Sequence, residues 1–431
     1  MTFKDIFRFW SPLASTWLMM SVEGPLIAAI IARQENPTFN LAAYGIAFAI
    51  ALAVESPIIN MLAAATALVR DRLSYFKLRS FTYMLNALIT LVMLIAGVTP
   101  LFEAMATEVV GLPDEVAHLA RISILILLPW PGAVGFRRFF QGVLIRGGQT
   151  RRVALGTFIR LIAMASSAFS LAAFTDLPGA LVGATSLTIA VCVELLAVRW
   201  MASAVIRELR LDAKVREESR SMTFPSIARF YFPLALTAFL ALAVQPSASF
   251  LAALGRRPVE SLAVLPVIQS LVFIFRSLGL SFQEAAIALL GDKGENERVL
   301  GRFALLLGTS STLMLCGLAF SPLATAWFEG VSGLSAELSA FAIGPTQIMA
   351  LMPGLTVFLV WQRSLLVNRK RTSPITGASA AEILTVLTTM SLGLFVFDWT
   401  GAVAATTAFL LGRVAGCSYL ELDRRRAQPV K

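Results

Sequence analysis

Arg8-Phe9-Trp10-Ser11-Pro12-Leu13 returns 221 residues later as Arg229-Phe230-Tyr231-Phe232-Pro233-Leu234. The same offset pairs Thr16 with Thr237, Pro25 with Pro246, Leu41 with Leu262 and Ser56 with Ser277. At an offset of 222, Pro100-Leu101 pairs with Pro322-Leu323, Pro131-Gly132 with Pro353-Gly354, Thr150 with Thr372 and Gly179-Ala180 with Gly401-Ala402. A repeat that needs one inserted residue between Arg8 and Ala180 marks an internal duplication, so the fold is read as two similar halves.

Each half is built from apolar runs. Of the 431 residues 57% are hydrophobic and 14% charged, whereas a soluble domain carries about 25% charge. Runs of ~20 apolar residues, enough to cross ~30 Å of hydrocarbon, fall at 9–32, 41–68, 80–102, 117–145, 153–175, 179–203, 226–254, 259–290, 302–326, 337–367, 373–397 and 400–420. In lipid such runs must be helices, because every backbone group needs an internal partner, and the period-2 alternation of a barrel is absent. Pro129, Pro131 and Pro353 predict kinks in the fourth and tenth. The expectation is an all-α polytopic membrane protein of about twelve transmembrane helices in two pseudo-symmetric six-helix bundles. The bundles are drawn at 1–204 and 226–431, with a solvated, charged linker at 205–225. Six spans per repeat is an even number, so both halves share one orientation, the parallel-repeat plan of a two-bundle transporter with its site where the repeats meet.

Charge sets the orientation. The net charge is +10, but nucleic acid is excluded as a partner, because 26 of the 36 basic residues lie in one alternating set of connections and only Arg33, Arg256 and Arg257 lie in the other. The positive-inside rule then puts both termini in the cytoplasm of a bacterial inner membrane. The first run is too long for a signal h-region and holds Glu23 and Pro25, so it is read as a membrane helix. Cys192, Cys316 and Cys417 have no metal-ligand spacing and read as packing residues. His118, the only histidine, is placed at an outer helix end.

Ionisable side chains within the runs are expensive in lipid and are functional candidates by default. At ~1.5 Å of rise per residue, Glu23, Glu55, Arg276 and Arg413 fall nearest the midplane. Arg137, Arg138, Arg160 and Glu382 fall in the cytoplasmic half. Glu194, Glu284 and Arg363 fall near cytoplasmic ends and are read as reaching headgroups. Arg137, Arg138, Arg276 and Arg413, with Gln245 and Gln269, are the substrate-binding candidates, since arginine forks suit carboxylate and phosphate. Glu23 and Glu55 are the ion-coupling candidates, with a proton or sodium ion as the coupling ion. Glu55 and Arg276 are repeat equivalents, as are Arg160 and Glu382, and the two pairs are the candidate gates.

Two stretches carry a family resemblance. One is Leu41-Ala42-Ala43-Tyr44-Gly45-Ile46-Ala47-Phe48, continuing to Glu55-Ser56-Pro57 and the basic turn Arg70–Arg72. The other is Gln141-Gly142-Val143-Leu144-Ile145-Arg146-Gly147-Gly148-Gln149-Thr150-Arg151, copied more weakly from Gln362-Arg363 to Asn368-Arg369-Lys370-Arg371-Thr372. They resemble the multidrug/oligosaccharidyl-lipid/polysaccharide (MOP) exporter superfamily, which includes the MATE antiporters. The first stretch, with Phe232-Pro233-Leu234-Ala235-Leu236, is similar to the progressive ankylosis protein family. The resemblance implies export of an organic anion, citrate- or pyrophosphate-like; other branches move cationic drugs or lipid-linked sugars.

An enzyme is not expected: one histidine, no H-E-x-x-H and no paired aspartates leave no nucleophile–base set or metal cluster. No Walker motif is present. The reading is a secondary active transporter exporting a small organic or phosphate-bearing anion by alternating access, monomeric, in contact with membrane lipid and small-molecule substrate. It takes no cofactor and no metal. The alternatives are a cation- or proton-coupled drug antiporter and a lipid-linked saccharide flippase.

Overall fold

The structure, a computed structural model, describes residues 1–31, 33–98, 114–211, 216–252, 254–291, 294–332 and 334–426. It is nearly all helical. The principal helices are α1 (Phe3–Ile31), α2 (Pro37–Glu55), α3 (Met61–Leu68), α4 (Arg72–Val98), α5 (Asp114–Ile126), α6 (Pro129–Arg146), α7 (Thr150–Phe174), α8 (Gly179–Met201), α9 (Ser203–Leu211) and α10 (Glu217–Ser221). They continue as α11 (Phe224–Ala252), α12 (Pro258–Leu289), α13 (Glu297–Ala319), α14 (Ala336–Ile348), α15 (Met352–Asn368), α16 (Ser373–Phe395) and α17 (Gly401–Arg426).

Ten spans among the described residues are long and apolar enough to cross a membrane. They coincide with ten of the expected runs, so the chain is a multi-pass membrane protein. The other two expected runs, 9–32 and 226–254, are helical as α1 and α11, of 29 residues each. The end of the 80–102 run lies outside the described residues. Large apolar side chains are exposed along the spans, as lipid requires: Trp200 is 78% exposed and Leu305 72%.

Proline accounts for the breaks. The fourth expected span divides at Pro129 into α5 and α6, and the tenth divides at a 3-10 turn, Met349–Leu351, just before Pro353. Pro57 does the same after α2. It has no N–H to donate, the chain tightens into a 3-10 turn at Ser56–Ile58, and the Ser56 hydroxyl donates to the Ala53 carbonyl at 2.8 Å.

The duplication is written in the backbone as well as in the side chains. Asn36 (φ 48°) and Arg257 (φ 52°) are left-handed, 221 residues apart, and each precedes the proline that opens a helix, Pro37 of α2 and Pro258 of α12. Gly148 (φ 73°) and Lys370 (φ 58°), 222 apart, are left-handed just before α7 and α16. Non-glycine residues rarely take this conformation, so two matched pairs carry the repeat beyond sequence coincidence.

By their contacts the residues form two compact units, Leu18–Tyr231 and Met1–Trp17 with Phe232–Lys431. In the first, α7 packs on α8 and α6 on α3, around a core that includes Ile27, Met93, Trp130 and Met164. The α6–α3 contact is close because residue 142 is glycine: a Cβ there would lie 2.7 Å from the Leu62 carbonyl oxygen. In the second, α16 packs on α17 and α12 on α15, around Ile268, Phe328, Met390 and Phe409. The start of α1 belongs to this unit, anchored by the Trp10 indole N–H donating to the Ser281 hydroxyl at 2.8 Å.

The linker is docked onto the Leu18–Tyr231 unit. Asp71 accepts from the backbone N–H groups of Ser74 and Arg216, at 2.9 and 2.8 Å. Lys77 donates to the carbonyls of Ser219, Arg220 and Met222, at 3.0, 3.1 and 2.5 Å, placing a cation where the end of α10 presents unpaired acceptors.

Candidate functional sites within the two units

Each unit buries one cluster of charge. In Leu18–Tyr231 its hub is Glu194 on α8, which is fully buried. One carboxylate oxygen takes Arg137 Nη1 at 2.5 Å and lies 3.2 Å from Arg160 Nε. The other accepts from Gln141 Nε2 at 3.1 Å and the Thr157 hydroxyl at 3.3 Å. Arg160 also pairs with Glu23 through its other end. Glu55, 5% exposed, sits at the Pro57 break; among the described residues its Oε2 makes no hydrogen bond. Buried charge is tolerated only when paired and hydrogen-bonded, and Glu194 meets that condition with hydrogen bonds from Arg137, Gln141 and Thr157 and a second ion pair to Arg160.

The second cluster surrounds a cavity of about 170 Å3 within the other unit. Gln269 and Arg276 come from α12, Met349 from the turn before α15, Met352 and Arg363 from α15, Ser379, Glu382 and Ile383 from α16, and Phe409 and Arg413 from α17. Arg413 Nη2 pairs with Glu382 Oε1 at 3.1 Å. Arg276 Nε donates to the Thr356 hydroxyl at 3.2 Å, and Arg363 Nη2 to Ser379 Oγ at 3.0 Å. Neither Arg276 nor Arg363 has a carboxylate partner among the described residues. Among the described residues the buried Nε atoms of Arg363 and Arg413 have no acceptor. Three guanidinium groups therefore share one carboxylate.

The repeat relates the clusters position by position. At an offset of 222, Gln141 corresponds to Arg363, Thr157 to Ser379, Arg160 to Glu382 and Glu194 to Gly416; at 221, Glu55 corresponds to Arg276. A Cβ at 416 would lie 3.5 Å from Glu382 Oε2, in ordinary contact with it. The same framework thus holds three acids among Arg137, Arg138 and Arg160 in one unit, and three arginines around one acid in the other.

Most of the sequence candidates fall into these clusters. Glu23, Glu55, Arg137 and Arg160 belong to the first; Gln269, Arg276, Glu382 and Arg413 line the second. Within its own unit Arg160 meets Glu23 and Glu194, and Glu382 meets Arg413. Arg138 lies on α6, half-buried. The side chain of Gln245 lies outside the described residues. Glu194 and Arg363 do not reach headgroups: the first is the hub of one cluster and the second lines the cavity. Gln141, Thr157 and Ser379 were not singled out in the sequence. Their signal was there, as polar residues at repeat-equivalent positions beside charged ones.

No protein-family profile and no curated protein matches the chain. Several solved structures do. A multidrug resistance MATE family transporter of the MOP superfamily in an outward-facing conformation is 18% identical, covering 98% of this chain and 95% of its own, with a TM-score of 0.77. A variant of the Vibrio cholerae MATE transporter VcmN is 16% identical over 99% of this chain and 97% of its own, TM-score 0.78. A MOP superfamily transporter from Pyrococcus furiosus is 13% identical over 98% and 95%, TM-score 0.77. Over essentially its whole length, the chain has the fold of the MATE transporters of the MOP superfamily.

Proposed function

We propose that this chain is a secondary active transporter that exports a small organic or phosphate-bearing anion across a bacterial inner membrane, with both termini cytoplasmic, working by alternating access. The observation that carries the reading is the excess of guanidinium over carboxylate around the cavity lined by Arg276, Arg363 and Arg413. A buried cation without a counter-charge is costly, and a bound anion supplies one. The cavity of about 170 Å3 is smaller than the ~300–1,000 Å3 typical of drug-sized ligands, which favours a small solute. The Pyrococcus furiosus transporter of the same fold is described as having a binding pocket whose reverse polarity suggests a different function, so the fold accommodates such a change. The resemblance to the progressive ankylosis family points the same way.

Coupling is assigned to the other unit. Glu55 is buried, and among the described residues one of its carboxylate oxygens has no hydrogen bond, while Glu23 pairs with Arg160 of the same cluster; a proton or sodium ion taken up there completes the cycle. That cluster is also what favours the second reading, a MATE-type antiporter of a cationic drug, since it buries three acids where the other unit's cavity has one.

Purified protein titrated with carboxylates, phosphate and cationic drugs decides between them. Arg276→Gln is expected to weaken anion binding by roughly ten- to a hundredfold, the worth of a charged hydrogen bond, while Arg276→Lys recovers part of it because the bidentate fork is lost. Binding of cations but not anions, with Arg276→Gln neutral, selects the drug antiporter. In proteoliposomes Glu55→Gln is expected to abolish transport driven by a proton or sodium gradient while leaving anion binding intact.

A further inference from the structure

We infer that the cavity lined by Arg276, Arg363, Arg413 and Glu382 is selective for dianions, and that Glu382 sets this valence as a fixed internal counter-charge. The inference rests on the anion reading above and narrows it.

The valence follows from counting. Arg276, Arg363 and Arg413 contribute three positive charges to the lining and Glu382 removes one, leaving a formal +2. Gln269 and Ser379 are polar but neutral, and the rest of the lining is apolar. Glu382 is held in place rather than loosely associated. Its carboxylate pairs with Arg413 at 3.1 Å, with side-chain exposures of 17% and 12%. Arg413 is therefore committed to a residue of the protein. Arg276 and Arg363 spend one donor each on neutral hydroxyls, of Thr356 and Ser379, so among the described residues neither charge is paired with a carboxylate. In a low-dielectric site the charge left over is what the ligand must match.

Dianions of the right size are of two chemical kinds, a short dicarboxylate and a phosphate monoester or free phosphate. The cavity holds roughly five or six waters' worth of volume at ~30 Å3 each, which suits either. A monoanion leaves one guanidinium charge buried without compensation. A trianion leaves an excess negative charge beside Glu382. Both are penalised relative to the dianion by the same physics that penalises a broken buried pair.

The test is a binding titration of the full-length protein in neutral detergent at pH 7.5 with three carboxylates of similar chain: butyrate, succinate and propane-1,2,3-tricarboxylate. Inorganic phosphate and a short-chain phosphatidate serve as further arms that separate a soluble dianion from a lipid headgroup. Succinate is expected to bind about tenfold or more tightly than either of the other two carboxylates. Glu382→Gln raises the lining to +3 and is expected to move the tricarboxylate to the front by a similar factor. Glu382→Asp keeps the charge and keeps the dianion first. The double variant Glu382→Gln/Arg413→Gln returns the count to +2 with two guanidinium groups and is expected to restore the dianion preference, which a general loss of structure would not do. If anions bind but the valence order is the same in wild type and Glu382→Gln, or if the double variant keeps the order of the single one, the inference is overturned and the anion reading stands. If no anion of any valence binds and Arg276→Gln changes nothing, the anion reading itself falls.

Discussion

At the scale of single residues, Glu194 carries the most. Its carboxylate accepts hydrogen bonds from Arg137, Gln141 and Thr157 and forms a second ion pair with Arg160, so its removal strands two guanidinium groups in a buried site. Glu194→Ala is expected to lower stability by about 3–5 kcal/mol, the cost of breaking a buried pair, whereas Glu23→Gln, which leaves Glu194 to compensate Arg160, should cost clearly less. Thermal unfolding of the two variants in the same detergent checks the order, and equal melting temperatures would remove Glu194 from the hub. Glu194 also shows where sequence reading stops. Counting residues along a helix gives depth but not azimuth, so a carboxylate near a span end reads as headgroup-facing until the neighbouring helices are known. Arg363 was misplaced for the same reason. Glu55 and Arg276 were legible because their depth alone singles them out.

At the scale of elements, the breaks at Pro129, before Pro353 and after Glu55 follow from a missing N–H and were visible as prolines. The docking of the linker was not. Its alternating charges read as a solvated stretch, yet Ser219 is buried and Asp71 is almost inaccessible, because the partners lie some 145 residues away in sequence. Burial works against the Asp71 charge, but the N–H groups of Ser74 and Arg216 and the hydroxyls of Ser219 and Ser74 outweigh it and hold the carboxyl below its usual range. The sign follows. A depressed folded pKa means that the contribution is complete above the ordinary aspartate value of about 3.9 and is lost as pH falls through the lower folded value. A fluorophore on Glu217→Cys should therefore stay immobile from neutral pH down to about 4, then gain mobility on further acidification. Asp71→Asn and Lys77→Ala should each release it at pH 7. Unchanged anisotropy in both variants would show that the linker is held by other contacts.

At the scale of the whole molecule, the duplication was the most legible feature, since it needs only one gap, and the structure repeats it in the left-handed pairs Asn36/Arg257 and Gly148/Lys370. The distribution of charge between the halves was less so. Reporter fusions at Lys431 and at Asp114 are expected to report opposite sides of the membrane; the same side for both would contradict the count of spans between them. The lining of the cavity, three arginines against Glu382, also has an electrical consequence. Filled with a dianion, these four residues and their ligand are formally neutral, and empty they carry two positive charges. Moving one charge through a membrane potential is worth about 2.3 kcal/mol per 100 mV, so in a carrier cycle the potential acts on the return of the vacant protein and hardly at all on the passage of the cargo. With a potassium diffusion potential imposed across vesicles, exchange of labelled for unlabelled dianion should run at the same rate at every voltage, while net export should speed up or slow down with its sign. If the cavity takes a dianion as proposed, it is the vacant cavity, not the filled one, that feels the cell's voltage.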